Sequence, residues 1–400
     1  MTSSVDEMAP VYARRLVATL KDAGYLTTPL LEEAFSSVPR HAFLDHFYIR
    51  DMAHSRLAWR LVQAPPVEEI STWLGAIYTS DSLITKLNGI NIPISSSSEP
   101  GVMAIMLDAL DVQRGMRVLE IGTGTGYNAA LLAHMVGDPH LVFTVEIDPE
   151  MAQLAQQRLD QVVGTGTTVY AGNGLEGYPP GVPFDRIIAT ASHHTVPHAW
   201  LDQLRQEGVL VMPFTGNMGT GSLLQVKKEG MTRAVHGRFL RGLAFMHMRE
   251  SIQESPPIIQ RLLSQCLTHP VVATMPLVKT EFDLELLSNP DFTFVLQLEF
   301  PQVYFCSMQK PPSTSPTFCL VDAASQGMVA FCPTEQKDAW LVEVRGEPGM
   351  WEKIYHAYQR WLEFGRPHIG DYVIEIDEAG KQRVGLARPT ASPLFTWELE

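Results

Sequence analysis

Gly122, Gly124 and Gly126 alternate at the end of an apolar run, 118-VLEI-121, just before a helical stretch, 127-YNAALLAHMV-136. Glycine at such a turn lets the backbone bend tightly and come close to a ligand. A pyrophosphate-binding dinucleotide site asks for a further glycine three residues after Gly124, where this chain has Tyr127. Glu146 closes the next apolar run, 20 residues after Gly126. In a doubly wound sheet a carboxylate there can grip the two hydroxyls of a ribose. A glycine turn and a ribose acid without a pyrophosphate site point to a nucleoside such as S-adenosylmethionine. The plainer alternative is that strand-to-helix turns favour glycine and strand ends tolerate Glu. It has to bring three glycines and the acid into register by chance.

The elements needed to hold these residues are readable around them. Residues 7–36 have helical periodicity, and a further helix runs from 101 through Leu110. From 117 short apolar strands alternate with helices: VLEIG, YNAALLAHMV, LVFTVEI, PEMAQLAQQRLDQV, TTVYA, FDRIIATA, PHAWLDQL and GVLVMPF. That order predicts βαβ units and a parallel sheet covered on both faces. SLLQVKKEG and TRAVHGRFL read as an antiparallel pair closing the sheet edge. Residues 51–98 are mixed. The expected division is a helical, substrate-side segment over 1–100, a cofactor-binding domain over 101–250, a Pro- and Ser-dotted connection over 251–290 and an α+β accessory domain over 291–400. In that last part FTFVLQLEF, VYFCSM, FCLVDA, MVAFC and WLVEV read as strands and WEKIYHAYQRWLEFG as a helix.

VLEIGTGTGYNAALLA, the acid in VFTVEID, 172-GNG-174, 184-FDRIIATAS-192, VPHAWLDQLRQEGVLVMP and the upstream 38-VPRHAF-43 together resemble the protein-L-isoaspartate O-methyltransferases. The resemblance spans roughly residues 10–250. With 94-ISSSSEP-100 and the long extension, the chain is similar to a bacterial subgroup that includes aspartate methyltransferases of lanthipeptide-type peptides. The resemblance implies a class I, Rossmann-like α/β fold with a seven-stranded sheet and an antiparallel final pair. It places Glu120, Gly122, Thr123, Gly124 and Gly126 at the methionine end of the cofactor and Glu146 on the ribose. Asn173 and Gly174 fall near the adenine, with Asn173 standing where the family usually has Asp; its carbonyl can still accept from the adenine amino group.

The family's T-I-S-x-P segment supplies a serine hydroxyl at the reacting carboxylate. Aligned on Pro100, that role falls to Ser98, with Ser96 and Ser97 beside it. The chemistry suits hydroxyls: a side-chain carboxylate with a pKa near ~4 is already anionic at neutral pH. It needs positioning against an electrophilic methyl rather than a general base. Neutral donors hold it without the grip of a Lys or Arg pair. The alternative is that Ser98 merely caps the helix beginning at Glu99-Pro100. By resemblance Ala191, Ser192 and His193 line the substrate side, with His194 next to them. Metal binding by the His193–His194 pair lacks a third ligand nearby in sequence. Met246, His247 and Met248 read as core. Arg238, Arg241 and Arg249 suit either an acidic peptide or a solvated strand face.

Composition sets the outer limits. The chain has 400 residues, enough for about two domains, with 45% hydrophobic and 18% charged residues. A formal net charge of −14 argues against nucleic-acid binding, which needs clustered cations. Cys266, Cys306, Cys319 and Cys332 form no C-x-x-C pair and read as reduced, packed thiols rather than a zinc site. No run reaches the ~18 apolar residues of a membrane span, and the acid-containing N-terminus lacks a signal-peptide core. A cytoplasmic enzyme is expected, acting with S-adenosylmethionine on isoaspartyl or aspartyl residues of proteins or peptides, for repair or modification. The competing readings are a small-molecule methyltransferase and a catalytically inactive cofactor-binding module.

Overall fold

The computed structural model describes residues 2–51, 58–64, 69–229, 235–252, 259–309, 315–387 and 394–399. The N-terminal part comprises α1 (Thr2–Asp22), α2 (Pro29–Ser37), β1 (His46–Arg50), β2 (Trp59–Gln63), α3 (Ile70–Ile77), β3 (Leu83–Leu87), β4 (Pro93–Ser97) and α4 (Pro100–Leu110). The expected helical segment therefore also carries a four-stranded antiparallel sheet, ordered β2-β1-β3-β4.

The alternating region follows as β5 (Val118–Ile121), α5 (Tyr127–Val136), β6 (Val142–Glu146), α6 (Pro149–Val162), β7 (Thr168–Ala171), β8 (Phe184–Ala189), α7 (His198–Gln203), β9 (Leu204–Thr215), β10 (Gly221–Lys227) and β11 (Val235–Leu243). β5 pairs in parallel with β6 and β8, β6 with β7, and β8 with β9. All four residues of β5 are buried, as a central parallel strand with both faces covered requires. α6 starts where Asp148 accepts from the N–H groups of Glu150 and Met151 at 3.1 and 3.3 Å, with Pro149 at the first helical position.

The remainder is α8 (Ile259–Thr268), β12 (Val271–Val278), α9 (Pro290–Glu299), β13 (Val303–Met308), β14 (Thr317–Asp322), β15 (Met328–Pro333), β16 (Ala339–Arg345), α10 (Met350–Glu363), β17 (Tyr372–Ile376), β18 (Gln382–Leu386) and β19 (Leu394–Leu399). The large sheet has the order β19-β18-β17-β11-β10-β9-β8-β5-β6-β7. Its last seven members are the class I methyltransferase sheet with the antiparallel β10–β11 pair. β11 is not an edge: Val235–Arg238 pair antiparallel with Val373–Ile376 of β17.

Two expectations change here. The segment FTFVLQLEF is helix α9, not a strand. Asn289 caps it, its side chain accepting from the N–H groups of Asp291 and Phe292 at 3.0 and 3.1 Å, and Pro290 follows. Every residue from Phe292 to Leu298 is buried, and a helix apolar all round reads like a strand when periodicity is the only guide. The division at residue 291 does not follow the sheets either. β12, from the expected connection, is the edge of a second, five-stranded sheet, β12-β16-β15-β14-β13, while β17–β19 extend the large sheet. One continuous core joins them: Phe214 packs edge-on to Phe239 (5.2 Å between ring centroids), Phe239 to Phe294 (4.9 Å), and Phe294 against Tyr372 (5.3 Å). All four cysteines are free, and all four sit around the five-stranded sheet. Among the described residues no helix is long and apolar enough to cross a membrane.

Candidate active site

The carboxyl ends of β5, β6 and β8 open into a cleft roofed by β4. Chain direction at the glycine turn is set by two donations to Val145 of β6, from Gly122 N–H at 2.9 Å and Thr123 N–H at 3.2 Å. Gly122 and Gly124 take φ of +98° and +54°, the region that favours glycine. A Cβ on Gly122 would stand 2.8 Å from Thr190 Oγ1, and one on Gly124 would stand 3.5 Å from the Ser96 carbonyl oxygen. The turn is thus pressed between the end of β8 and the serine strand, and its bare backbone is the cleft floor.

Two acids flank that floor. Glu120 is fully buried; Oε1 accepts from Asn128 Nδ2 at 2.7 Å and Oε2 from Thr144 Oγ1 at 2.6 Å. Burial pushes its carboxyl up to about 7, against the pull of the Thr144 and Asn128 donors. Glu146 Oε2 accepts from Gly124 N–H at 2.8 Å and Oε1 from Asp148 N–H at 3.2 Å. Burial raises this carboxyl too; the two N–H donors and the Arg249 charge work against the rise. A carboxylate has about four acceptor positions, so the Glu146 oxygens keep capacity toward the cleft. A half-buried glycine floor, a buried acid beside it and a second acid with spare acceptors suit the hydroxyls and the cationic amino group of S-adenosylmethionine.

The serines come in on the hairpin β3–β4, where Leu83 pairs with Ser97 and Ile84 with Ser96. Strand alternation turns Ser95 and Ser97 inward, 8% and 3% exposed, and leaves Ser96 and Ser98 half-buried. Ser95 Oγ accepts from Thr85 Oγ1 at 3.2 Å. Ser97 Oγ is buried in the cleft wall without a hydrogen-bond partner. Ser98 does not cap α4. The cap position is Glu99, and its side chain makes no capping hydrogen bond. The hairpin end is held from behind by Arg40, which is fully buried. Its guanidinium donates to the carbonyls of Ile77 (2.7 Å), Thr79 (2.8 Å), Asp81 (2.9 Å) and Ser98 (3.2 Å). Burial lowers this group to about 10, opposed by nearby Tyr127, Tyr78, Asp81 and Glu99, so it stays charged at neutral pH.

The cleft brings together Ser96, Ser97, Ser98, Glu120, Gly122, Thr123, Gly124, Glu146, Gly174 and Ala191. Four expected residues lie off it. Gly126 faces Ala155 and Leu159 of α6. Asn173 spends its side-chain carbonyl capping a turn, accepting from Leu175 N–H at 3.0 Å. Ser192 is fully buried and donates to the carbonyls of Phe245 and Met246 at 3.3 Å. His193 folds onto its own loop, with Nδ1 2.9 Å from the Thr195 carbonyl, and stacks on His194 at 4.6 Å. The wall opposite is one that sequence reading assigned to core. Met246, His247 and Met248 line the cleft with Phe245 and Arg249, because Ser192 and His247 form a parallel bridge that draws this segment across the end of β8. Among the described residues no cluster suited to a metal ion occurs.

Residues 74–247 match the family profile described as protein-L-isoaspartate(D-aspartate) O-methyltransferase (PCMT). A protein-L-isoaspartate O-methyltransferase of Ignicoccus hospitalis is 34% identical over 215 residues, 54% of this chain and 87% of that protein. One of Methanopyrus kandleri is 35% identical over 252 residues, 60% of this chain and 93% of that protein. A solved structure titled protein-L-isoaspartate O-methyltransferase shares the fold with a TM-score of 0.53 at 21% identity, covering 94% of this chain and all of that one. Glycine turn, Glu146 and serine hairpin thus sit on a scaffold whose relatives match along most of their own length, and the chain belongs to the protein-L-isoaspartate O-methyltransferase family.

Proposed function

We propose that this chain is a carboxyl O-methyltransferase that uses S-adenosylmethionine to esterify the free carboxylate of L-isoaspartyl or aspartyl residues in proteins or peptides. The observation that carries the reading is the unpartnered, buried Ser97 hydroxyl in the same cleft as Gly124 and Glu146. A buried polar group without a partner costs free energy until a ligand supplies one. When bound, the cofactor supplies an electrophilic methyl; a carboxylate oxygen takes it as the carbon–sulfur electron pair returns to sulfur.

The chain's own task is placement. Glu146 accepts from the ribose hydroxyls and Glu120 faces the cationic amino-acid end, with the glycine backbone between them. Ser97 and Ser98 donate to the acceptor carboxylate from the roof. These neutral donors orient the nucleophile without neutralising it, and roof and floor together exclude water, so proximity supplies the rate. Once esterified, that carbonyl is open to attack by the following backbone nitrogen. Methanol leaves and a succinimide forms, which hydrolyses to Asp or isoAsp.

The test is transfer of labelled methyl to matched peptides carrying isoaspartate, aspartate or asparagine at one position. The expected result is a base-labile ester on the isoaspartyl or aspartyl peptide and none on the asparagine peptide. No transfer to either acid would overturn the assignment.

A further inference from the structure

The ligand-binding edge of the parallel sheet continues past the cofactor cleft. Where β9 ends, Phe214 and Thr215 open onto a second cavity of about 370 Å³, within the range of small-ligand pockets. His194 enters it from the loop after β8, Glu299 from the end of α9, and Trp397 and Glu398 from β19. About one-third of this wall belongs to the methyltransferase unit and two-thirds to the C-terminal part of the chain.

Thr190 and Ala191 line the cofactor cleft and His194 lines the second cavity. Three residues of extended chain reach at most about 11 Å. A peptide lying along this edge with its carboxylate under the serines therefore passes a neighbouring side chain over the second cavity. The lining also says which kind. Phe214 and Trp397 give aromatic surface, and Glu299 and Glu398 give carboxylates. Glu299 Oε1 accepts from Trp397 Nε1 at 2.9 Å and pairs with Arg360, whose guanidinium lies 5.3 Å from the Trp397 ring centroid. Glu398 pairs with Lys381 at 2.7 Å. Neither Arg360 nor Lys381 is part of the lining, and each carboxylate keeps acceptor positions beyond its one cationic partner. Carboxylates beside aromatic faces suit a cation.

We propose that the cavity between β9, α9 and β19 is a specificity subsite that takes a Lys or Arg side chain of the substrate peptide, two to four residues from the methyl-accepting aspartyl or isoaspartyl residue. The proposal rests on the peptide-methylation reading above and adds a sequence preference to it.

The experiment uses the full chain and two isoaspartyl peptide sets, with Lys or Glu scanned through the four positions on either side. The readout is the ratio of kcat/KM for the Lys peptide to that for the Glu peptide, which cancels the fraction of active enzyme. At one position the ratio should be about fivefold or more, the size of one favourable surface charge contact against its reversal. Glu398→Lys should bring that ratio to one or below. Glu398 is 57% exposed in its side chain, so the change leaves the core intact. Glu398→Gln should give an intermediate ratio. A ratio near one at every position in the wild type, or a ratio that Glu398→Lys leaves unchanged, overturns the subsite. Failure to methylate any of the peptides removes the underlying function and the subsite with it.

Discussion

Lys86, on the hairpin that carries the serines, pairs with Asp148, the cap of α6 two residues beyond Glu146. The contact ties the roof of the cleft to the loop that follows Glu146. Asp148 is almost fully buried and Lys86 about one-third exposed, between the weak surface pairs and the strong buried ones. Lys86→Met should cost about 1–2 kcal/mol of stability and should speed S-adenosylhomocysteine dissociation more than it slows association. Stopped-flow rates unchanged by the substitution would detach the pair from cofactor retention. The same pair sets an acid limit. Burial alone would raise the Asp148 carboxyl; Lys86 and the N–H groups of Met151 and Glu150 outweigh it and hold it below its ordinary value. Its contribution is present at neutral pH and lost as pH falls through that lowered value.

Glu120 has the opposite sign. Its carboxyl is raised by burial from 4.5 to about 7. Between those values the unfolded chain releases the proton while the folded protein keeps it, so stability falls as pH rises through the window, by at most about 3 kcal/mol. Glu120→Gln removes that dependence. Urea unfolding at pH 5, 6, 7 and 8 should show the variant gaining on the wild type across the series. A constant gap would mean that Glu120 is ionised throughout.

Ser97 and Ser98 separate stability from activity. Ser97 Oγ has no partner in the free protein, so Ser97→Ala removes an unsatisfied hydroxyl. Thermal stability should hold or rise slightly while kcat/KM for peptide falls about ten- to a hundredfold, one lost hydrogen bond to a charged group. Ser98→Ala should also spare stability, because the hydroxyl caps nothing. Loss of cofactor affinity in step with activity, measured by calorimetry, would instead place these hydroxyls on the cofactor.

What could be read from the chain was local. The glycine turn, Glu146 and the serine run each announce themselves within a few residues, and the βαβ alternation repeats often enough to fix the parallel sheet. What could not be read was paired at long range. Arg40 reaches carbonyls 37 to 58 residues away, and nothing in VPRHAF says that its arginine holds up the serine strand. Met246, His247 and Met248 look apolar enough for core, and only the bridge from Ser192 to His247 turns them to the cleft. Asn173 could not be read fully either: its carbonyl accepts from Leu175 N–H, a local capping role that the motif does not announce. α9 was misread because a helix buried on every side has no polar stripe to reveal its period.

The last prediction concerns whether the catalytic unit can stand alone. The family resemblance ends at about residue 250. The packing does not end there. β11 gives its outer edge to β17, and Phe214, Leu224 and Phe239 are at most 4% exposed in a core completed by Phe294, Tyr372 and Trp397. A chain ending at residue 250 would bare that face and the edge of β11, both liabilities for a soluble fold. It should show no cooperative thermal transition, should bind a hydrophobic dye and should fail to bind S-adenosylmethionine. If it instead unfolds cooperatively within about 2 °C of the full chain, a shift worth only about 1 kcal/mol at this length, the C-terminal part contributes little to stability and its contacts to β11 are incidental. Loss of folding, by contrast, would mean that β17–β19 and the catalytic sheet share one core, as the packing of Phe214 and Phe239 on Phe294 and Tyr372 indicates.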